Sequence, residues 1–361
     1  MPHTHSADEA IFDHIDIPKL SEDDKKTLEM PLTKNELFEV VKSMKTNKSP
    51  GFDGLPAEFY TSFWPEINDM LMNSFNFSLQ SGSMSNSQRN GVITLLLKPN
   101  KDPLFIPNYR PITLLTTDYK ILAKCLANRM KIFLHDLIHS DQSGFMKGRN
   151  IRHNIRLILD LIEYTDIFEI PGLILLLDIE KAFDSVSHKF LFQVLEKFNF
   201  GKTFINSIKT LYSFRQSYII NNGHLSERIV LERGIFQGCP ISPYLFLLVI
   251  EIMALSIRQN DQIKGICCNN NETKISLFAD DSVCFLDGSV TSFFVLFEFL
   301  DKFGKYSGCK INFNKTEAVW IGSKKGCPYV PHVRQKIISV KNSEFKCLGV
   351  NFSLNTNLIL R

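Results

Sequence analysis

The chain has 361 residues and a formal net charge of +3, and 44% of its residues are hydrophobic and 22% charged. This composition excludes a disordered chain, a collagen and a coiled coil, and the length is enough for two or three domains or one multi-lobed domain. The eight cysteines include no CxxC pair, which argues against a secreted disulfide framework and favours a reducing compartment.

The N-terminus and the apolar runs give no sign of membrane targeting. The first sixteen residues, MPHTHSADEAIFDHID, are polar and acidic, unlike a signal peptide. The longest apolar run, Tyr244 to Ile257, is interrupted by Glu251 and is shorter than the roughly 20 residues that a bilayer requires. We therefore expect no membrane partner and an intracellular protein, nuclear or cytoplasmic and not secreted.

The charge is distributed unevenly along the chain. Residues 1–30 hold eight acids and three lysines, and we expect them to form a flexible acidic lead-in. Residues 89–156 hold twelve Lys and Arg against four acids. Such a basic block fits either a surface that binds a polyanion or a solvated helix face.

The first elements are predicted by caps and breakers. Thr33 and Glu36 have the spacing of a capping box, which opens a helix. A second helix is predicted from residue 57 to about residue 80. Pro65, near its start, must kink or divide it. A strand at 91–97 then precedes a long helix at about 117–138.

The second half alternates short apolar strands with helices. Residues 172–177 form a continuous apolar run, typical of a strand buried on both faces. Asn222-Gly223 marks a hairpin, and Asp280-Asp281 lies at the tip of another. The other predicted elements are helices at about 186–198, 202–212, 243–257 and 291–306 and a strand at 318–322. This order predicts an α+β fold with an antiparallel sheet backed by helices.

Three carboxylates stand at strand ends. Asp280 and Asp281 repel each other unless a divalent cation lies between them, although Asp is also an ordinary turn residue. Asp178 ends the buried strand at 172–177, and it would meet Asp280 if the two strands lie side by side. Hard oxygen ligands select Mg²⁺ or Mn²⁺, and two such ions are the usual device for in-line displacement at phosphorus.

These residues stand within a series of ordered motifs that resembles the reverse transcriptase domain of LINE-like (non-LTR) retrotransposons. The resemblance runs from about Lys48 to Gly349 and covers most of the chain. Its motifs are SPGFDGLPAEFY (49–60), NYRPITLL (108–115), DQSGFMKGRNIRHNI (141–155), LLLDIEKAFDSV (175–186), GIFQGCPISPYLF (234–246), SLFADDSV (276–283), SGCKINFNKTEAVWIG (307–322) and CLGV (347–350).

The resemblance implies a right-hand polymerase with fingers and palm. We expect a lead-in at 1–30, a fingers-like region at 31–171, a palm at 172–350 and a truncated tail at 351–361, with the thumb largely missing. The implied activity is DNA synthesis from dNTPs on a DNA primer and an RNA template. The implied cofactor is Mg²⁺ or Mn²⁺, as two ions.

The resemblance also implies roles for single residues of the catalytic centre. Asp178 and Asp280 would bind metal together with the Ile179 carbonyl, and Asp281 is either a supporting acid or a residue that shapes the turn. Lys315 resembles a lysine that donates a proton to departing pyrophosphate, although a solvated lysine is the simpler interpretation.

Nucleotide and nucleic-acid contacts are implied in the same way. Phe183 resembles an aromatic that excludes a 2′-OH, and its alternative role is a core phenylalanine. The remaining implied residues are Lys98, Arg110, Gln237 and Gly238 for the nucleotide, Lys147, Arg149, Arg152 and Arg156 for the template backbone, and Cys347, Leu348 and Gly349 for a primer-grip hairpin.

The chain departs from the family pattern at three positions and in its extent. Leu247 stands where the family often has Asn, Phe236 replaces a frequent Arg, and Cys347 replaces a common Tyr. About 47 residues precede the first motif and Arg361 comes twelve residues after Gly349, so we expect any endonuclease to be supplied elsewhere. The alternatives are a non-catalytic remnant that binds nucleic acid and an inert or poorly folded fragment.

Overall fold

A computed structural model of the chain describes residues 11–13, 15–333 and 336–354. Its helices are α1 (Glu22–Glu29), α2 (Lys34–Lys42), α3 (Ala57–Ser62), α4 (Trp64–Ser81), α5 (Asn86–Arg89), α6 (Thr117–Lys131), α7 (Leu134–Leu137), α8 (Ile151–Ile167), α9 (Ala182–Ser185), α10 (His188–Lys197), α11 (Lys202–Tyr212), α12 (Ser242–Gln259) and α13 (Val290–Ser307). Its strands are β1 (Asn90–Leu97), β2 (Tyr109–Leu115), β3 (Gly172–Leu177), β4 (Gln216–Asn221), β5 (His224–Leu225), β6 (Ile229–Val230), β7 (Ile266–Cys268), β8 (Asn271–Thr273), β9 (Ile275–Phe278), β10 (Asp281–Leu286), β11 (Glu317–Ile321), β12 (Ser339–Lys341), β13 (Glu344–Cys347) and β14 (Val350–Ser353). The predicted α+β class is confirmed.

The chain folds as two compact units, each assembled from separate stretches of sequence. The first unit comprises the described residues within 1–18, 135–190 and 246–361, and the second comprises 19–134 and 191–245. This division differs from the predicted boundary at 171/172. The reason is strand pairing, because β4 returns to lie parallel to β1, with Asn90 opposite Gln216.

A five-stranded sheet with the order β12-β11-β3-β10-β9 forms the centre of the first unit. β3 is antiparallel to both of its neighbours, as the predicted antiparallel sheet requires, and the edge pair of β11 and β12 is parallel. Five of the six residues of β3 are buried, as its apolar run predicts. Ile158 and Ile162 of α8 pack in one cluster with Ile174, Phe285 and Val319 of the sheet.

The second unit has its own sheet, in which β1 lies between β2 and β4 and β5 and β6 both pair with β4. Asn221 pairs with His224, which leaves Asn222 and Gly223 as a two-residue turn. Both turn residues have positive φ, +50° and +78°, as a type I′ turn requires. The predicted hairpin is therefore confirmed.

The described part of the predicted lead-in is folded and not flexible. α1 begins with a capping box, in which the Ser21 side chain accepts from the Asp24 amide and the Asp24 carboxylate accepts from the Ser21 amide. Leu20 and Leu28 are buried. Three of the acids that suggested a solvated segment, Glu22, Asp23 and Asp24, stand in the first turn of α1, where the helix dipole stabilises them. Residues 1–10 and 14 of the lead-in, and 355–361 of the tail, lie outside the described ranges.

Two long predicted helices are each divided. α3 ends at Ser62 and α4 begins at Trp64 with Pro65 in its first turn, where the missing N–H of proline costs nothing. The helix predicted over 117–138 is α6 followed by the separate short helix α7. Before α2 only half of the predicted capping box forms, because the Glu36 carboxylate accepts two 2.7 Å hydrogen bonds from Arg129.

Among the described residues, one helix, α12, is long and apolar enough to cross a membrane, and 72% of its apolar window is buried inside the protein. A buried core helix meets the same criterion, so α12 alone is weak evidence for a membrane span. All eight cysteines lie within the described ranges, and all are free thiols.

Candidate active site

The predicted catalytic acids meet at one end of the central sheet of the first unit. Ser282 of β10 lies opposite Leu177 of β3, so the next step of this register brings Asp281 opposite Asp178. Residues opposite each other in an antiparallel pair have Cα atoms about 4.5–5.5 Å apart. The pairing therefore brings together acids that are about 100 residues apart in the sequence.

Electrostatics indicate that all three acids share this space. Burial raises the pKa of the Asp281 carboxyl, and the negative charges of Asp280 and then Asp178 raise it further. The hairpin differs in detail from the prediction, because Asp281 is the first residue of β10 and pairs with Phe278. The two-residue turn is therefore Ala279-Asp280, and only one of the paired acids lies at its tip.

The loop before β11 docks onto the end of β3. The Asn312 amide donates to the Asp178 carbonyl at 2.8 Å, and the Asp178 amide donates to the Thr316 hydroxyl at 3.5 Å. This docking brings the Lys315 ammonium to 3.8 Å from the Asp178 carboxylate. Sequence reasoning proposed Lys315 but missed Asn312 and Thr316, which hold the main chain of Asp178 and carry no charge.

The main chain after Asp178 leaves one carbonyl available. Ile179 forms an isolated antiparallel bridge with Ile311, in which the flanking residues make the hydrogen bonds: Asn312 to the Asp178 carbonyl and Glu180 to the Lys310 carbonyl, both at 2.8 Å. In such a pair the N–H and C=O of the bridged residue point away from the partner strand. The Ile179 carbonyl is thus left for another partner, as its predicted role requires.

The donor set has the chemistry of a divalent hard-cation site. Carboxylate and carbonyl oxygens are the ligands that Mg²⁺ and Mn²⁺ prefer. Across residues 11–13, 15–333 and 336–354, no three His, Cys, Asp or Glu side chains form a group that could hold a metal ion. The predicted set requires two carboxylates, Asp178 and Asp280, and the Ile179 carbonyl, so the types of residue present fit such an ion.

Two of the three acids, Asp280 and Asp281, are exposed as whole residues, although the surroundings of the Asp281 carboxyl desolvate it enough to raise its pKa. A cavity of about 690 Å³ in the first unit is bordered by Glu180 and Ile311, next to the Ile179 bridge, but none of the three acids lines it. The two exposed acids are therefore accessible from solvent.

Phe183 follows the catalytic strand in the short helix α9. Its ring is half-buried and stacks on Phe246, with centroids 4.6 Å apart and planes 16° apart. This contact fixes the orientation of the ring. Exclusion of a 2′-OH by this ring stays a prediction.

The predicted nucleotide contacts of the second unit lie on and beside its sheet. The Lys98 ammonium donates to the Pro107 carbonyl at 2.8 Å, so this lysine braces the loop between β1 and β2. Arg110 is exposed on β2. Gly238 has a φ of +108°, and a Cβ at this position would lie 3.0 Å from the Thr113 carbonyl oxygen. Glycine is therefore required by the fold, and its approach to a base stays a prediction, as does the role of the half-buried Gln237.

Sequence reasoning missed Arg215, although one of its signals was visible. Arg215 is fully buried, and its guanidinium carbon lies 4.3 Å from the Tyr119 ring centroid and 4.6 Å from that of Phe236. Phe236 is the position where the family frequently has Arg. Phe236 thus replaces a cation directly before the predicted nucleotide segment Gln237-Gly238. This replacement could have prompted a search for a compensating cation such as Arg215.

The predicted template contacts differ in how freely they could reach a phosphate. Lys147 and Arg152 are exposed. Arg156 forms an ion pair with Asp160 at 2.7 Å and remains 70% exposed. Arg149, in contrast, donates to the carbonyls of Ile138, His139 and Gln142, so it holds its own loop together. Binding of nucleic acid by any of these residues stays a prediction.

The residues predicted for a primer grip lie in the hairpin of β13 and β14, and contact with a primer stays a prediction. Cys347 pairs with Val350, and the two turn residues Leu348 and Gly349 have φ of +51° and +79°. The Cys347 side chain faces a cluster with Phe345 and Phe352, and burial raises the pKa of its thiol to about 12. This side chain is therefore a core contact, and any contact with a primer would come from the turn.

Comparison with known proteins shows which family the chain resembles. Residues 97–352 match the family model described as reverse transcriptase (RNA-dependent DNA polymerase). The chain is 34% identical over 339 residues to the transposon TX1 uncharacterized 149 kDa protein of Xenopus laevis, and the match covers 93% of this chain and 26% of that protein.

Two further relatives come from named mobile elements. The chain is 26% identical over 335 residues to the RNA-directed DNA polymerase from mobile element jockey of Drosophila funebris, covering 89% of this chain and 35% of that protein. It is 28% identical over 319 residues to the Pol polyprotein of retrotransposable element R2DM of Drosophila melanogaster, covering 85% and 29%. The chain thus spans about a quarter to a third of these relatives. Since the family model covers well over half of its length, the chain belongs to the reverse transcriptase family, in its branch of LINE-like retrotransposon proteins.

Proposed function

We propose that the chain is an RNA-directed DNA polymerase domain of a non-LTR retrotransposon, which transfers a nucleotide from a dNTP to a primer 3′-OH. The observation that carries this proposal is the register of β3 and β10, which pairs Leu177 with Ser282 and so directs the adjacent Asp178 and Asp281 to the same end of the central sheet. Rigid strand ends are suitable platforms for groups that must hold a fixed geometry.

The acids would hold the cofactor. Asp178, Asp280 and the Ile179 carbonyl are the proposed ligands of Mg²⁺ or Mn²⁺, as two ions, and Asp281 is a supporting charge. When bound, such ions neutralise charge on the triphosphate and activate the attacking hydroxyl. The raised pKa of Asp281 supports an acid whose charge is unfavourable until a cation is near.

Other residues would orient the substrates. The Lys315 ammonium, 3.8 Å from Asp178, is proposed to donate a proton to departing pyrophosphate. The Phe183 ring, held by Phe246, is proposed to exclude ribonucleotides. Lys98 and Arg110 are proposed to contact the triphosphate, since ammonium and guanidinium groups both bind phosphate.

Primer extension on poly(rA)/oligo(dT) with Mg²⁺ or Mn²⁺ tests this function. We expect dTTP incorporation by the wild type and loss of incorporation in Asp280→Ala. The matched control is Asp261→Ala, which removes an exposed acid in the turn after α12 and should retain activity. Equal incorporation by the wild type and Asp280→Ala would contradict the proposal.

A second candidate is a non-catalytic nucleic-acid-binding module. It is supported by the exposure of Lys147, in the loop before α8, and of Arg152, in the first turn of α8. Filter binding at several salt concentrations would detect it, because each neutralised phosphate adds about −0.7 to −0.9 to the slope of log K against log salt. Tight, salt-sensitive binding without any incorporation would favour this candidate. An RNA template, a DNA primer, a separate endonuclease and an intracellular location are further proposals for either candidate.

A further inference from the structure

The turn that carries Asp280 contains a strained residue. Ala279 and Asp280 form a two-residue connection between β9 and β10, because Phe278 pairs with Asp281. Ala279 has a φ of +58°, in the left-handed region that favours glycine. A non-glycine residue persists in such a conformation only where its surroundings hold it. The contacts of Ala279 therefore reveal what holds the turn.

Gln142 holds both main-chain groups of Ala279. Its Oε1 accepts from the Ala279 amide at 2.9 Å, and its Nε2 donates to the Ala279 carbonyl at 3.4 Å. The same Oε1 accepts from the Gly144 amide at 2.8 Å. The Gln142 side chain is 1% exposed, so these bonds form out of competition with water. One amide side chain thus clamps the residue directly before Asp280.

Gly144 lets the clamp approach closely. A Cβ at residue 144 would lie 2.2 Å from the Ala279 amide nitrogen and 2.9 Å from its Cα. No side chain other than hydrogen fits there without moving main chain. Gln142 and Gly144 come from the motif DQSGF, which the sequence resemblance used only as a landmark.

The clamp is anchored to the strand that leads into the turn. The Ser143 amide donates to the Leu277 carbonyl and the Leu277 amide donates to the Asp141 carbonyl, both at 3.0 Å. The Asn154 side chain donates to the Ser276 hydroxyl at 2.8 Å and to the Leu277 carbonyl at 3.0 Å. Asn154 also accepts from the hydroxyl of Ser143, the residue after Gln142. None of these bonds touches Ala279, so they provide a control for general destabilisation of β9 and its loop.

We propose that Gln142 is a positioning residue, which holds the strained Ala279 main chain so that the Asp280 carboxylate faces the cation site beside Asp178. This inference rests on the proposed function of Asp280 as a metal ligand. Residues that orient a ligand from behind typically change metal affinity about 10- to 100-fold when they are substituted. We expect an effect of this size from Gln142.

Hydrogen exchange and metal titration test the proposal without requiring activity. In Gln142→Met the exchange of the Ala279 amide should accelerate, and Mn²⁺ binding measured by electron paramagnetic resonance should weaken about tenfold. The control Asn154→Ala should lower the melting temperature to a similar degree and leave Mn²⁺ affinity within about twofold of the wild type. Unchanged Mn²⁺ affinity in Gln142→Met, or an equal loss in Asn154→Ala, would overturn the proposal.

A double variant separates positioning from general destabilisation. Glycine adopts positive φ without strain, so Ala279→Gly should need the clamp less. We expect Gln142→Met/Ala279→Gly to recover most of the Mn²⁺ affinity that Gln142→Met loses. If the two substitutions acted independently, their effects on Mn²⁺ affinity would simply add. Additive losses would overturn the proposal. Because wild-type Mn²⁺ binding is measured separately from primer extension, an inactive but metal-binding wild type would refute the polymerase function and leave this inference testable.

Discussion

Arg215 lies in the interior of the second unit, and no carboxylate within the described ranges pairs with it. One of its nitrogens donates to the Gln88 carbonyl at 2.9 Å, and among the described residues Nε and Nη2 have no hydrogen-bond partner. The rings of Tyr119 and Phe236 lie within 5 Å of its guanidinium and supply the compensating attraction. The sequence hints at a missing cation only through Phe236, and the ring contacts of Arg215 become visible in three dimensions, because Tyr119 comes from a distant stretch of sequence.

Truncation of Arg215 should therefore be costly. We expect Arg215→Ala to lower the free energy of unfolding by about 3 kcal/mol, since it removes two ring contacts and leaves a cavity. Arg215→Met, which refills the space, should cost less. Urea denaturation measures both, with the exposed Arg233→Ala as the control. A loss under about 0.5 kcal/mol in Arg215→Ala, the size typical of a surface site, would contradict this account.

Glu251 of α12 is a buried acid of the first unit, with 1% of its surface exposed. Burial and, to a smaller extent, the negative charge of Asp141 raise its pKa to about 6, against the opposing effect of Arg258. Arg258 donates to Glu251 at 2.7 Å and to Asp141 at 3.0 Å. His139, which pairs with Asp141 at 3.1 Å, and Arg149, whose pKa responds to both acids, complete the charged surroundings.

The sign of the resulting pH dependence is fixed. The pKa of Glu251 is higher in the folded than in the unfolded state, so the folded state binds more protons between about pH 4.5 and 6. The contribution of Glu251 to the free energy of unfolding therefore falls as the pH rises through that window. Glu251→Gln removes the effect. We expect the stability of the variant minus that of the wild type to increase by about 2 kcal/mol from pH 4.5 to pH 7. A flat difference in urea denaturation across this range would refute the assignment.

At the scale of elements, a helix or strand can be predicted from the sequence when neighbouring residues determine it, and cannot when a distant contact does. The β3 strand, the Asn222-Gly223 turn and α13 follow from apolar runs and turn residues, and they are where the pattern predicts them. The halved capping box before α2 is different, because Arg129 competes for the Glu36 carboxylate from another helix. The order β12-β11-β3-β10-β9 depends on long-range pairing, which local periodicity does not encode.

The candidate site shows the same division. The three acids could be named from their positions at strand ends, since charged residues after a buried run are conspicuous. Gln142 could not, because a polar residue in a loop gives no sign that it bonds to a main chain more than 130 residues away. Uncharged positioning groups are in general the part of a site that a single sequence conceals.

The segment that leads into α12 offers an element-scale prediction. Gly238→Ala adds strain at a φ of +108° and a 3.0 Å contact with the Thr113 carbonyl of β2. Gly54→Ala, at a φ of +73° with nothing within 4 Å of its Cβ, adds strain alone and is the matched control. Each should lose about 1–2 kcal/mol of stability from strain, and Gly238→Ala should in addition raise the KM for dTTP. Equal KM values for dTTP in the two variants would show that Gly238 does not contribute to nucleotide binding.

At the scale of the whole molecule, the basic block predicts how the protein grips nucleic acid. Lys147 and Arg152 are exposed, whereas Arg149 is occupied by three carbonyls of its own loop. We expect Lys147→Ala and Arg152→Ala each to reduce the magnitude of the salt slope by about one. Arg149→Ala should instead lower the melting temperature. A salt slope that neither Lys147→Ala nor Arg152→Ala changes would exclude this surface as the template grip.

The central claim concerns the acids that the pairing of β3 with β10 brings together, and single-turnover addition of one dTMP to oligo(dT) on poly(rA) tests it most directly. Asp178→Asn keeps the size of the side chain and removes its charge, so the rate should fall at least about 10³-fold while the Kd for the primer–template stays within about twofold. The control Asp261→Asn should react like the wild type. An Asp178→Asn protein that adds the nucleotide at the wild-type rate would contradict the assignment of this sheet end as the catalytic centre.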